Sequence, residues 1–144
     1  MLPRLNNILF VKHCTTMTRT KIAELIFDSK NSILYMHILE NSEMTIENTI
    51  EHYKIIESLV GNLKYIAIID SGNYFTTNPE VFDYTSKHST FKNRVATAHY
   101  NLSMANKLTV DFFKSNYKPD MAFVTFKTKE ECLDWWQSEK DSLL

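Results

Sequence analysis

Residues 63–79 read LKYIAIIDSGNYFTTNP, an apolar run that stops at Asp70 and opens into a polar loop. Tyr65, Ile66, Ala67, Ile68 and Ile69 are apolar without alternation. A strand with one wet face alternates with period two, so an unbroken run marks a strand covered on both faces, most often in the middle of a parallel sheet. The loop leaving the carboxyl end of such a strand is where α/β folds place ligands. A local site is therefore expected between Asp70 and Asn78.

Upstream, residues 22–27 and 33–39 are apolar-rich runs separated by Asp28, Ser29, Lys30, Asn31 and Ser32, a polar cluster of hairpin-loop length. An antiparallel hairpin is expected to open the fold. Ala23, Leu25 and Phe27 share one face of its first strand; Leu34, Met36 and Ile38 lie opposite Tyr35, His37 and Leu39 on its second. Thr45 before Ile46, with Glu47 in the first turn, marks a helix start. Ile46, Ile50, Tyr53, Ile56 and Leu59 or Val60 trace its apolar stripe, and Gly61 stops it.

Downstream, Asn78-Pro79-Glu80 starts a short helix expected to give out near Ser89. Residues 94–102 read as a strand. Ser103 caps a third helix, with Ala105, Leu108, Phe112 and Phe113 expected on its buried face and an end before Pro119. Residues 121–126 form the last strand, and Thr128 with Glu130 and Glu131 reads as a capping box for a helix that packs Cys132, Leu133, Trp135 and Trp136 on the sheet. Two strands and a helix, then strand and helix three times over, imply an α/β domain with a mixed, mostly parallel sheet flanked by helices, because right-handed crossovers lay successive strands parallel.

The chain has 144 residues, 44% hydrophobic and 23% charged, which suits one domain with its own core. Sixteen basic against seventeen acidic residues give a formal charge of −1, hence no general attraction to nucleic acid or an anionic membrane. The apolar patch in LNNILFVKHC, residues 5–14, is too short for a signal sequence or a membrane span. Met17 opens MTRTKIAELIF like a natural start, so residues 1–20 are expected as a poorly ordered extension and 21–144 as the domain. Cys14 and Cys132 make no disulfide framework, which points to a reducing cytoplasm.

Taken together, the opening hairpin, the Asp-terminated central strand and the closing strand and helix resemble the STAS-like proteins, the sulfate-transporter and anti-sigma-factor-antagonist fold, and within it the small bacterial STAS/CRAL-TRIO-like branch. Two patterns carry the resemblance: IIDSGNYFTTNPEVF, where a strand ends on aspartate before an aromatic-bearing loop and a capped helix, and PDMAFVTFKTKEECLDWW, the closing strand and helix. The resemblance covers roughly residue 22 to the C-terminus. It implies a non-enzymatic regulatory or protein-interaction module. In the anti-sigma-factor antagonists a serine at that helix start is phosphorylated; this chain has no Asp-Ser-Ser-Gly there, and the matching positions fall near Thr76, Thr77 and Asn78. Thr76 and Thr77 are thus the phosphorylation candidates that the resemblance suggests.

Asp70, Ser71, Tyr74, Phe75, Thr76, Thr77 and Asn78 are the candidate partner- or anion-binding residues, because hydroxyls and free helix-start amides suit a phosphate and two aromatic rings in a polar loop suit a partner. The same hydroxyls and Asx residues also serve ordinary turns. His13, His37, His52, His88 and His99 fall at no metal-binding spacing, although His37 and His99 could meet across the sheet; no metal or cofactor is expected. Lys87, His88, Lys92 and Arg94, with Lys107, Lys114 and Lys118, form a basic stretch beside Phe91 and Tyr117 that reads as a solvated face rather than a nucleic-acid site. No strained nucleophile, phosphate-cradling glycine loop or acid pair marks an enzyme. The partner expected is a protein, with a homodimer and a small apolar or lipid-like ligand as alternatives, the latter in a pocket lined by Phe112, Phe113, Phe123 and Trp136.

Overall fold

The computed structural model describes residues 16–87 and 90–144. Strand β5, Tyr65–Asp70, lies inside a six-stranded sheet between β3, Ile33–Ile38, and β7, Arg94–Tyr100, and is parallel to both. β8, Ala122–Thr125, adds a further parallel strand beyond β7, while β2, Ala23–Asp28, pairs antiparallel with β3 as the opening hairpin. Met17–Arg19 form β1, antiparallel to β2 at the sheet edge. Residues 17–19, assigned to an extension from sequence, thus belong to the sheet: three residues carry no readable period, and pairing with a hairpin decides their state. Residues 1–15, with His13 and Cys14, lie outside the described residues.

The crossovers from β3 to β5, β5 to β7 and β7 to β8 all step the same way, so right-handed connections put their helices on one face. These are α1, Ile46–Val60, α2, Pro79–Thr85, and α3, Met104–Tyr117. The last helix, α4, Lys129–Leu143, covers the other face. β5 feeds both layers: Tyr65, Ala67 and Ile69 pack with Ile56 and Val60 of α1, whereas Ile66 and Ile68 pack with Ala96, Ala98 and the Cys132 and Trp136 of α4. Each buried isoleucine contributes about 1.5–3 kcal/mol. This is why the run does not alternate. The helices start as their sequences dictate: Thr45, Asn78, Ser103 and Thr128 accept hydrogen bonds from Asn48, Val81, Asn106 and Glu131 N–H.

Two helix faces differ from expectation. On α1 the buried line is Thr49, His52, Ile56 and Val60, one step round from Ile46 and Ile50. On α3 it is Asn106, Val110 and Phe113, while Ala105 is exposed and Leu108 and Phe112 are 66% and 51% exposed. A buried asparagine with backbone partners outweighed the apolar pattern there. α2 ends at Thr85, and residues 88 and 89 are outside the described part. No helix among the described residues is long and apolar enough to cross a membrane.

Candidate functional site

α2 has seven residues, about 10 Å of helix, beside strands β5 and β7 that run about 20 Å. It cannot cover the sheet between α1 and α3. A cavity of about 120 Å³ occupies the gap, walled by Met36, Ile38 and Ile69 of the sheet, Tyr53 of α1, Val81 and Phe82 of α2, Val110 and Phe113 of α3, and Phe123 of β8. Among these apolar walls stand His52, Thr77, Arg94 and His99.

Arg94 reaches the cavity through a backbone irregularity. Tyr65 pairs with Arg94 but Ile66 pairs with Ala96, so Val95 is an extra residue in β7. Strict alternation would put Arg94 on the same face as Ala96 and Ala98, against α4; the bulge turns it to the face of Thr97 and His99, which also line the cavity. Arg94 is 2% exposed. Its Nε donates to Tyr65 Oη at 3.4 Å, and its guanidinium carbon lies 4.2 Å from the Phe91 ring centre, 5.5 Å from Tyr65 and 5.6 Å from Tyr53. Burial pushes the Tyr53 phenol up to about 12. Nη2 is buried and finds no partner.

The two cavity histidines are neutral. His52 Nδ1 lies 2.8 Å from Thr20 Oγ1 and His99 Nδ1 lies 2.7 Å from Ser71 Oγ. Burial and then the charge of Arg94 lower each to about 3; for His99 the Lys114 charge adds to this. Thr77 Oγ1 is also buried without a partner.

The loop after β5 is held by local bonds. Asp70 Oδ1 accepts from Gly72 N–H and Asn101 Nδ2, both at 3.1 Å, and Oδ2 lies 3.3 Å from His37 Nδ1. Ser71 is fully buried, and its carbonyl and that of Asn73 accept from Asn106 Nδ2 at 2.6 and 2.7 Å. Phe75–Thr76 form β6, parallel to β4, Ser42–Glu43, in a separate two-stranded sheet. β6 divides the candidates: Phe75 is buried and, with Thr77, lines the cavity, whereas Tyr74 is 48% exposed and Thr76 is exposed. Asn78 caps α2 by accepting from Val81 N–H at 3.1 Å.

Other expected groupings do not form. β5 separates His37 from His99, and each takes its partner, Asp70 or Ser71, from the segment in between. Of the pocket expected from sequence, Phe113 and Phe123 line the cavity, but Phe112 is exposed and Trp136 lies in the opposite layer. Its indole donates to Asn31 O. The basic stretch splits: Lys87 and Lys107 pair with Asp83 and Asp111 at the surface, while Arg94 goes inside. Cys132 is packed and its thiol pushed up to about 12 by burial. Sequence reasoning missed Arg94, His52 and His99 as cavity residues. For Arg94 the available signal was a charge opening an otherwise apolar strand.

The chain is thus a mixed α/β domain with a mostly apolar, partly open cavity between its sheet and three helices, and with one buried cation among the described residues. Residues 27–140 match the family model described as Domain of unknown function (DUF7793); the match covers most of the chain, which belongs to that family. No curated protein and no solved structure matches it.

Proposed function

We propose that this is a non-enzymatic, STAS-like sensor or carrier domain of the cytoplasm that holds a small apolar ligand between sheet and helices. The cavity carries the reading. Well-packed interiors leave few voids larger than a water molecule, and one of about 120 Å³ walled by aromatic and aliphatic side chains matches the scale at which a protein admits a small ring or short chain. The expected regulatory role fits onto the same segment, because β6 and its flanking residues touch the cavity through Phe75 and Thr77 and solvent through Tyr74 and Thr76. A ligand that moves Phe75 therefore moves the surface a protein partner would read.

Native mass spectrometry of the freshly purified chain, followed by solvent extraction, tests the reading. A released small molecule, lost in a Val110→Trp variant that fills the cavity, is the expected result. An unliganded parent whose melting temperature is indifferent to small apolar compounds would remove the basis for it.

A further inference from the structure

Deepening the ligand reading above, on which it rests, we infer that the ligand carries a single negative charge, a carboxylate, and that Arg94 is its counter-ion. All seventeen Asp and Glu residues of the chain lie among the described residues, and none forms an ion pair with Arg94. A guanidinium stays charged in a protein and presents five N–H donors. Here the Tyr65 hydroxyl, at 3.4 Å from Nε, and the Tyr53 hydroxyl take up donors, and Nη2 has no partner. A buried charge without a partner is among the least favourable arrangements a fold can contain.

The aromatic cage of Phe91, Tyr65 and Tyr53 offsets part of that cost through their ring faces. Rings satisfy charge but not N–H donors. The bulge at Val95 is what turns Arg94 inward, and without it the side chain would lie on the opposite face. A fold that bends its strand to bury an unpaired arginine beside a cavity has placed a receptor for an anion there. The anion's charge follows from the walls: the histidines at the cavity, His52 and His99, are neutral, which leaves Arg94 as the one cation lining it among the described residues. A monoanion balances one guanidinium, and the planar fork matches a carboxylate in two parallel bonds. The remaining apolar walls and the volume suit a benzoate-sized ring or a short aliphatic chain.

The test pairs each acid with its near-isosteric neutral amide: benzoate with benzamide and hexanoate with hexanamide, titrated into the full chain at neutral pH by isothermal calorimetry and by amide NMR. At least one acid is expected to bind tenfold or more tightly than its amide, and Arg94→Met to abolish that preference. The ligand-free Arg94→Met variant is also expected to melt above the parent, since it replaces an unpaired buried charge by an apolar chain. Equal binding of acid and amide by the parent, or a preference that survives in Arg94→Met, would overturn the charge assignment while leaving the cavity reading intact. Failure of all four compounds to bind, with no molecule released from the purified protein, would remove the cavity reading itself and this inference with it. Should Arg94→Met not fold, Arg94→Lys keeps the charge but not the fork; a reduced preference supports the assignment and an unchanged one contradicts it.

Discussion

Ser71 Oγ and His99 Nδ1 stand 2.7 Å apart inside the protein, joining the first residue after β5 to the end of β7. Thr20 and His52 repeat the arrangement at 2.8 Å on the other side of the cavity. Each hydroxyl holds a neutral imidazole where a proton would have to be buried beside Arg94.

The pH dependence of stability follows. His52 and His99 are lowered from 6.5 to about 3 in the folded state. Between those values the unfolded chain binds protons that the folded chain refuses. The stabilisation is therefore complete above about 6.5 and lost as pH falls toward 3, with a limiting slope of about 1.4 kcal/mol per pH unit for each histidine. Urea denaturation at pH 7.5, 6.5 and 5.5, above the range where carboxylates titrate, should show stability declining with acid. His52→Asn, which keeps a polar group near the Nδ1 position, should reduce the slope. Equal stability at pH 7.5 and 5.5 would contradict the burial of neutral histidines.

Asn106 is the pin between α3 and the loop after β5. Its Nδ2 supplies both hydrogens, to Ser71 O and Asn73 O, from a fully buried position. Asn106→Ala leaves two carbonyls without donors at about 1–3 kcal/mol each, so a loss of about 2–6 kcal/mol is expected in chemical denaturation. Asn106→Asp should be worse at neutral pH, because a carboxylate can only accept and would face two oxygens. A loss under 0.5 kcal/mol for Asn106→Ala, an estimate below one unsatisfied group, would show that water replaces the amide.

Gly72 is set by a close approach to a neighbouring side chain rather than by its backbone angle. A Cβ there would sit 2.7 Å from Asn101 Nδ2, the donor to Asp70 Oδ1. Asn101 is exposed and at φ 59, a conformation glycine adopts freely. Gly72→Ala should push the Asn101 amide off Asp70 and cost about 1 kcal/mol, the worth of one such bond. Asn101→Gly removes the obstacle, so the double variant should lose no more than Asn101→Gly alone. Additive losses would place the strain in the loop backbone instead.

What was legible in the sequence tracks what is local. The unbroken apolar run of β5 predicts coverage on both faces because each face has its own helix layer, and the four caps are read from single residues and their neighbours. The site was half legible. The loop after β5 does border the cavity through Phe75 and Thr77. Arg94 was hidden because a one-residue bulge reverses the face that alternation assigns, and a bulge leaves no mark in residue type. α3 misled for a related reason: Leu108 and Phe112 look buried by composition, yet Asn106 turns the helix to reach two carbonyls. In both places a polar interaction specified by tertiary structure outweighs the local pattern.

Thr76 and Thr77, adjacent and alike in sequence, should respond oppositely to the same changes. Thr77 Oγ1 is buried without a hydrogen-bond partner, so Thr77→Val exchanges a stranded hydroxyl for a methyl of the same shape and is expected to stabilise by about 1 kcal/mol. Thr76 is exposed, and Thr76→Val should change stability by less than about 0.5 kcal/mol. A negative charge separates them further. Thr76→Glu leaves the charge in water, whereas Thr77→Glu drives a carboxylate into the cavity toward Arg94, where it either pairs with the guanidinium or disrupts the packing around Phe75. Either way Thr77→Glu should abolish binding of small apolar ligands, and Thr76→Glu should leave it unchanged while altering recovery of a protein partner. Thermal melts of the valine pair and ligand titrations of the glutamate pair check this; identical behaviour within each pair would mean that β6 does not separate an inner from an outer face.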